Sequence, residues 1–416
     1  MGIKGLRLPI RYGFKLEREV ARVVRNDNCS GCGVCAKISD RVVVELDSEG
    51  FLRPKVSGFA PTTLDEREAR VFRGVCPGVA LSPPAADGRS THPIFGSYVA
   101  AWQGWASDPE LRKAGSSGGV LSALATWLID SGRVDSVAGS AMSTVNPTRT
   151  VPIRITTREE ALASAGSRYA PVANTLLDGH CCAFVGKPCE ASARSRLALV
   201  SPDGECGHSK PILLSFLCAG TPSQHATDDL TSALGVQSNS VSRLRYRGHG
   251  WPGEFVVETF NGQRRSMSYE ESWGNSLGRR LQTRCKLCPD GTGEHADIAV
   301  GDYWNTDDRG FPSFTEGDGN SVVIARTAAG AALIKSAVES GVLTLSKVSL
   351  GDVASVQPLQ SSRRKTLAGR LIGRNLAGYR VPRYRGYGLF SHLIANPRAN
   401  LRAAGGTFAR SIGWRA

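Results

Sequence analysis

Three cysteines at two-residue gaps, Cys29, Cys32 and Cys35 in "RNDNCSGCGVCAKISD", carry the strongest chemical signal in the chain. A C-x2-C-x2-C run wraps tightly enough to put three thiolates on three irons of one cubane, and in bacterial ferredoxins it continues x3-C-P. Here that next position is Ser39, so the two-cluster pattern is broken. The following cysteine, in "RGVCPGVA", is Cys76 with Pro77 after it, the Cys-Pro form of a remote fourth ligand. We assign Cys29, Cys32, Cys35 and Cys76 to one 4Fe-4S centre. Ser39 as the fourth ligand, or a three-iron cluster, is the competing arrangement; a zinc knot is another, although zinc prefers two separated C-x2-C pairs.

The chain holds eleven cysteines. "VGKPCEA" contributes Cys189, "LLSFLCAGTPS" Cys218 and "QTRCKLCPDGTGEHADIAVGDYW" Cys285 and Cys288. Cys189 and Cys218 each follow a strand-like run and precede a small-residue turn, the strand-end position where α/β folds gather ligands. Taken alone, these four are open between zinc, iron-sulfur and buried thiols. Cys181, Cys182 and Cys206 fall in no such setting, and the pair Cys181 and Cys182, opening an apolar strand-like run, reads as small buried hydrophobes.

The order of "KAGSSGGVLSAL", "GSRYAPV", "FVGKPCEA", "LCAGTPS", "RGHGWPGEF" and "RCKLCPDGTGEHADIAVGDYW" behind an N-terminal ferredoxin-like segment resembles the beta-subunit family of coenzyme F420 hydrogenases and dehydrogenases, which includes 7-hydroxymethyl chlorophyll a reductase. The resemblance runs from about residue 25 to 305, and the family's C-terminal domain would extend to about 350. It implies an iron-sulfur flavoprotein oxidoreductase with FAD in the central region and a second 4Fe-4S cluster on Cys189, Cys218, Cys285 and Cys288. Electrons would pass between two 4Fe-4S clusters and FAD, and then to or from coenzyme F420 or another reducible metabolite.

The flavin site can also be read physically. Ser116, Ser117, Gly118 and Gly119 precede a helix whose Val120, Leu121, Leu124, Trp127 and Leu128 recur at helical spacing. A Gly-rich turn opening a helix offers free N–H groups and a positive dipole end to a pyrophosphate, with Ser116 or Ser117 as N-cap. Ser167, Arg168 and Tyr169 follow a second helix with a Thr157–Glu160 capping box. Arg168 could pair with phosphate and Tyr169 could stack on a ring; a surface arginine and a core tyrosine are the plainer alternatives. Asp302 closes a strand-like run and completes the candidate set. His249 and Trp251 lie in a Gly-Pro-rich loop, where a lone histidine is more often structural than catalytic.

These residues must be held by elements legible as mixed α/β. Residues 1–90 form the ferredoxin-like segment, with a hairpin about "DSEG" and a helix in "TTLDEREARVF"; 95–180 and 181–350 alternate strand and helix signals as flavin-binding and second-cluster regions. Residues 361–416 form a basic segment with twelve Lys and Arg and no Asp or Glu, nearly all of the chain's net +14. There Leu367, Leu371 and Leu376 mark one helical face, with Arg363, Arg364, Arg370 and Arg374 around it. Such a helix suits solvent, an anionic membrane surface or an acidic redox partner, and lacks the interleaved aromatics of nucleic-acid binding.

No apolar run approaches a membrane span, and the basic N-terminus lacks an apolar signal region, so the chain is expected in the cytoplasm, peripheral to the inner face of the membrane if its tail binds lipid. The expected partners are ferredoxin or a hydrogenase- or dehydrogenase-type subunit and a small-molecule acceptor. Rival functions are a non-catalytic electron relay, a reductase in polysaccharide or secondary-metabolite synthesis, and a zinc-stabilised binding module. No Ser-His-Asp or paired-carboxylate constellation competes with the redox reading.

Overall fold

A computed structural model describes residues 14–177, 182–200, 210–304 and 316–414; Cys181, Cys206 and the basic N-terminal stretch before Phe14 lie outside them. At its centre is an eight-stranded mixed sheet in the spatial order Leu343–Lys347, Ala100–Ala106, Ser321–Ala325, Ile298–Asp302, Ile212–Phe216, Ala183–Gly186, Val137–Met142 and Thr150–Ile155. The four strands from Ile298–Asp302 to Val137–Met142 are parallel; the others join antiparallel. Strands of 95–180 and of 181–350 therefore share one sheet.

Period-two alternation loads both faces, as central strands require. Val323, Ile298, Val300, Leu214 and Val137 pack under the helices Val120–Asp130 and Ala328–Glu339. Val322, Ile324 and Ala299 point the other way, onto Leu350 and Val353 of the helix Leu350–Val356. A smaller antiparallel sheet, Val241–Arg245, Glu254–Thr259 and Arg264–Ser268, packs Leu244, Phe255 and Val257 against Leu230 of Gln224–Ala233.

The N-terminal segment joins helices Lys15–Arg25 and Thr62–Val75 to the expected hairpin, Val42–Leu46 with Leu52–Val56. Leu16, Val20, Ala69 and Phe72 share its core with Cys29, Cys35 and Cys76. It docks on the rest of the molecule through Gly50, whose carbonyl accepts from the Gln224 N–H.

The basic segment departs from the picture of a solvated or surface-lying helix. Helix Pro358–Leu376 is packed into the molecule, with Leu367 fully buried and Leu376 exposed. Arg363, Arg364 and Arg374 are buried too, because each finds acceptors inside: Arg364 pairs with Glu294 at 2.6 Å and Arg374 with Asp27 at 2.5 Å. Among the described residues no helix is long and apolar enough to cross a membrane.

Candidate iron-sulfur and flavin site

The first cysteine loop is shaped by left-handed glycines, Gly31 at φ +68° and Gly33 at φ +82°, which turn the backbone twice within the motif. A Cβ on Gly33 would stand 2.7 Å from the Thr175 hydroxyl. Cys35 lies within electrostatic reach of Cys29, Cys32 and Cys76, so the chain does bring Cys76 back to the triplet. Ser39 is buried, its hydroxyl accepting from the Arg41 N–H. Burial above all, then the charge of neighbouring thiols, pushes Cys35 and Cys76 up and Cys32 to about 11.

Cys189 and Cys218 sit just past the carboxyl ends of the neighbouring parallel strands Ala183–Gly186 and Ile212–Phe216. With Cys285 and Cys288 they line one pocket that also takes in Lys187, Arg284 and Arg363. Burial again leads in raising Cys189, Cys288 and Cys218, the last to about 12. Buried thiols this close do not ionise together unaided; a cationic metal core supplies the compensation, so the donor set fits a thiolate-ligated cluster. Backbone N–H groups already point at sulfur, Thr221 to Cys285 at 3.3 Å and Gly31 to Cys29 at 3.4 Å. Among the described residues no three His, Cys, Asp or Glu side chains converge where a single metal ion would sit; this quartet surrounds a cavity.

The two quartets adjoin. Cys32 and Cys189 pack in one cluster with Val34, Val75 and Ala193. The buried Gln282 amide donates to the Ser30 carbonyl at 3.0 Å and to Cys285 Sγ at 3.4 Å. The fully buried Arg284 donates to the carbonyl of Pro77, beside Cys76, at 3.0 Å, while its charge acts on Cys288, Cys189 and Cys285. From the C-terminal helix, Arg363 and Gln360 both donate to the Cys218 carbonyl, at 3.0 and 3.1 Å. Sequence reasoning missed all four residues. Gln282 and Arg284 had one available signal, adjacency to C-x2-C; Arg363 and Gln360 had none, lying more than 70 residues downstream.

The flavin candidates form a neighbouring group of loops. The Ser167 N–H donates to Ser116 Oγ, and Ser117 Oγ to the Asn320 carbonyl at 2.6 Å. Neither serine caps the following helix: its N-cap is Gly119 at φ +73°, with no side-chain cap. A Cβ on Gly118 or Gly119 would meet the carbonyl of Gly104 or Leu111 at 2.6 and 2.5 Å, so both glycines permit close backbone packing. Arg168 turns inward, to the Thr150 hydroxyl and the Leu244 carbonyl, and Tyr169 packs on Trp273 at 4.6 Å. Asp302, at the end of its parallel strand, pairs with Arg247 at 2.8 Å. Arg247 lies over Trp251 and Tyr269, at 4.5 and 4.7 Å, with one Nη buried and, among the described residues, unpartnered. This buried cation in an aromatic cradle had escaped the sequence reading because "YRGHGWPGEF" drew attention to His249, which is exposed.

A family model described as the coenzyme F420 hydrogenase/dehydrogenase beta subunit N-term matches residues 101–177, and its C-terminus counterpart matches residues 180–350. The coenzyme F420 hydrogenase subunit beta of Methanococcus voltae is 27% identical over 301 residues, 69% of this chain and 99% of the relative. An F420-dependent formate dehydrogenase 1 subunit beta of Methanococcus maripaludis is 26% identical over 205 residues, and the match covers 48% of this chain and 50% of that protein. A coenzyme F420-dependent sulfite reductase of Methanocaldococcus jannaschii is 24% identical over 349 residues, 79% of this chain and 48% of that one. Among solved structures, a chain of the F420-reducing NiFe hydrogenase complex from Methanosarcina barkeri superposes with a TM-score of 0.49 at 21% identity, covering 68% of this chain and 95% of that one.

Proposed function

The chain belongs to the beta-subunit family of coenzyme F420 hydrogenases and dehydrogenases, and we propose that it is an iron-sulfur flavoprotein oxidoreductase linking a protein redox partner to a small-molecule acceptor. The observation that carries this reading is the second cysteine quartet lining one pocket beside the first, with Cys189 packed against the cluster that holds Cys32. Cys29, Cys32, Cys35 and Cys76 would hold one 4Fe-4S cluster, and Cys189, Cys218, Cys285 and Cys288 another. FAD would lie among the loops of Ser116–Gly119, Ser167–Tyr169 and Asp302. When bound, the clusters supply single-electron transfer and the flavin exchanges single electrons or hydride.

The protein's own part is positional and electrostatic. Cys29, Cys32, Cys35 and Cys76 are buried among apolar side chains that keep water out. Gln282 and Arg284 bind one loop and reach the other, setting the separation of the quartets. Lys187, Arg284 and Arg363 around the second cavity favour added negative charge there. Arg247, held by Asp302, offers its remaining Nη to an anionic or carbonyl group in the aromatic cradle. The names of the relatives support coenzyme F420 as the small-molecule carrier and a hydrogenase- or dehydrogenase-type subunit as partner; ferredoxin would be an alternative partner.

The test is anaerobic purification with iron, sulfide, zinc and flavin analysis, followed by reduction of coenzyme F420 with a reduced ferredoxin. About eight irons and one FAD per chain are expected, the sum of two four-iron clusters. A colourless, zinc-loaded protein would refute the proposal; iron and flavin without turnover of any small acceptor would replace the enzyme with a relay subunit.

A further inference from the structure

The last helices present a surface that the redox reading leaves unused. Of the twelve cations in residues 361–416, Lys365, Arg380, Arg383, Arg385, Arg398, Arg402 and Arg410 are exposed, and the segment has no Asp or Glu. Among the described residues no salt bridge engages any of the seven, in contrast to the inward Arg364 and Arg374. Arg410 and Arg370 both act electrostatically on Lys286; Arg370 donates to the Lys286 carbonyl at 3.2 Å and to the Thr366 hydroxyl, and Arg410 to the Thr407 hydroxyl, so three cations gather with no salt-bridge partner among the described residues.

Large apolar side chains stand out between these charges. Phe390 and Ile394, 73% and 63% exposed, share a face of Leu389–Ala395 at i, i+4 spacing. Leu401, 76% exposed, lies between Arg398 and Arg402 on Pro397–Ser411. That helix runs alongside Pro358–Leu376, with Asn400 against Gly369, Ala404 against Gly373 and Ser411 bonded to Arg374. Exposed Ile372 and Leu376 therefore stand at the same end as exposed Ile412 and Trp414.

We propose that this C-terminal face docks on an anionic lipid bilayer, with Phe390, Ile394 and Leu401 entering the acyl boundary and the surrounding arginines binding lipid phosphates. Charge complementarity names an anionic partner. Exposed apolar side chains set among cations suit the boundary of a bilayer, where apolar groups enter the acyl region and cations meet the lipid phosphates. Arginine stems can lie along the apolar surface with their heads at the phosphates, and a terminal tryptophan suits the same boundary. The surface lies beyond the family-matched residues, which end at 350.

The experiment is co-sedimentation of the full-length, cofactor-loaded protein with phosphatidylcholine vesicles and with vesicles containing phosphatidylglycerol, at low and high salt. Wild type should pellet with the anionic vesicles alone, and high salt should weaken that binding without abolishing it. Arg398→Glu/Arg402→Glu should weaken this about tenfold or more, since each cation near such a surface contributes on the order of 1 kcal/mol. Phe390→Ser/Leu401→Ser should weaken the binding that survives salt. All four positions are exposed, and unchanged iron content and thermal midpoint verify the fold. Absence of vesicle binding, equal binding to neutral vesicles, or unaltered binding by both variants would overturn the proposal. Retention on duplex DNA without vesicle binding would reassign the face to nucleic acid.

Discussion

Replacing Arg364 by Met tests whether the basic C-terminal helix is part of the core. Its guanidinium is 5% exposed and sits 2.6 Å from the 3%-exposed Glu294 carboxylate; it also donates to the Pro289 carbonyl at 2.6 Å and lies 4.8 Å from the Tyr387 ring. Breaking a buried pair from one side leaves an uncompensated charge and costs about 3–5 kcal/mol. Burial first, then Asp290, already pushes Glu294 up to about 7 even beside Arg364, so below neutrality the variant can shed the charge by protonation. The loss in R364M should be largest at pH 8 and markedly smaller near pH 5.5. In the double variant R364M/E294Q much of it should be recovered.

Glu294 has its own pH signature. Its folded pKa, about 7, exceeds the ordinary 4.5, so its stabilising share is present below 4.5 and lost as pH rises through 7. That difference amounts to about 3 kcal/mol, and Glu294→Gln should flatten it. Thermal unfolding of the four proteins across this pH range, under anaerobic conditions with cofactors loaded, measures both effects. A cost below about 1 kcal/mol for R364M at pH 8, or no recovery in the double variant, would refute the buried-pair reasoning.

Three further outcomes are expected. Cys76→Ser should lower iron by about four per chain, one cubane's worth, whereas Ser39→Ala should leave iron unchanged; the reverse pattern in iron analysis would exchange their roles. Gly33→Ala forces a left-handed residue against Thr175 and Leu176, and should destabilise by about 1–3 kcal/mol with partial loss of the first cluster's absorbance. Arg247→Met should raise the dissociation constant for FAD about tenfold or more by removing a buried charge-assisted donor, read by flavin fluorescence on dialysis; unchanged retention would separate the aromatic cradle from the flavin.

The sequence alone pointed to an oxidoreductase of this family. Two sets of four cysteines, a hairpin and helix able to return Cys76, and alternating strands and helices were visible because metal-ligand spacing and hydrophobic period are local properties. The strand-end positions of Cys189, Cys218 and Asp302 were equally legible, since each closes an apolar run. What the tertiary structure decided were contacts between segments distant in sequence. It put Gln282 and Arg284 between the two quartets and Arg363 on the Cys218 loop. It showed Gly118 and Gly119 making room for backbone at Gly104 and Leu111. It packed helix Pro358–Leu376 of the basic segment into the core and left the helices after it exposed. Composition shows the charge of that helix but cannot say which arginines find carbonyls or carboxylates; that depends on Glu294, Asp27 and Cys218 arriving from elsewhere in the chain. The same selection leaves Arg398, Arg402 and Arg410 outside, where their charge meets solvent.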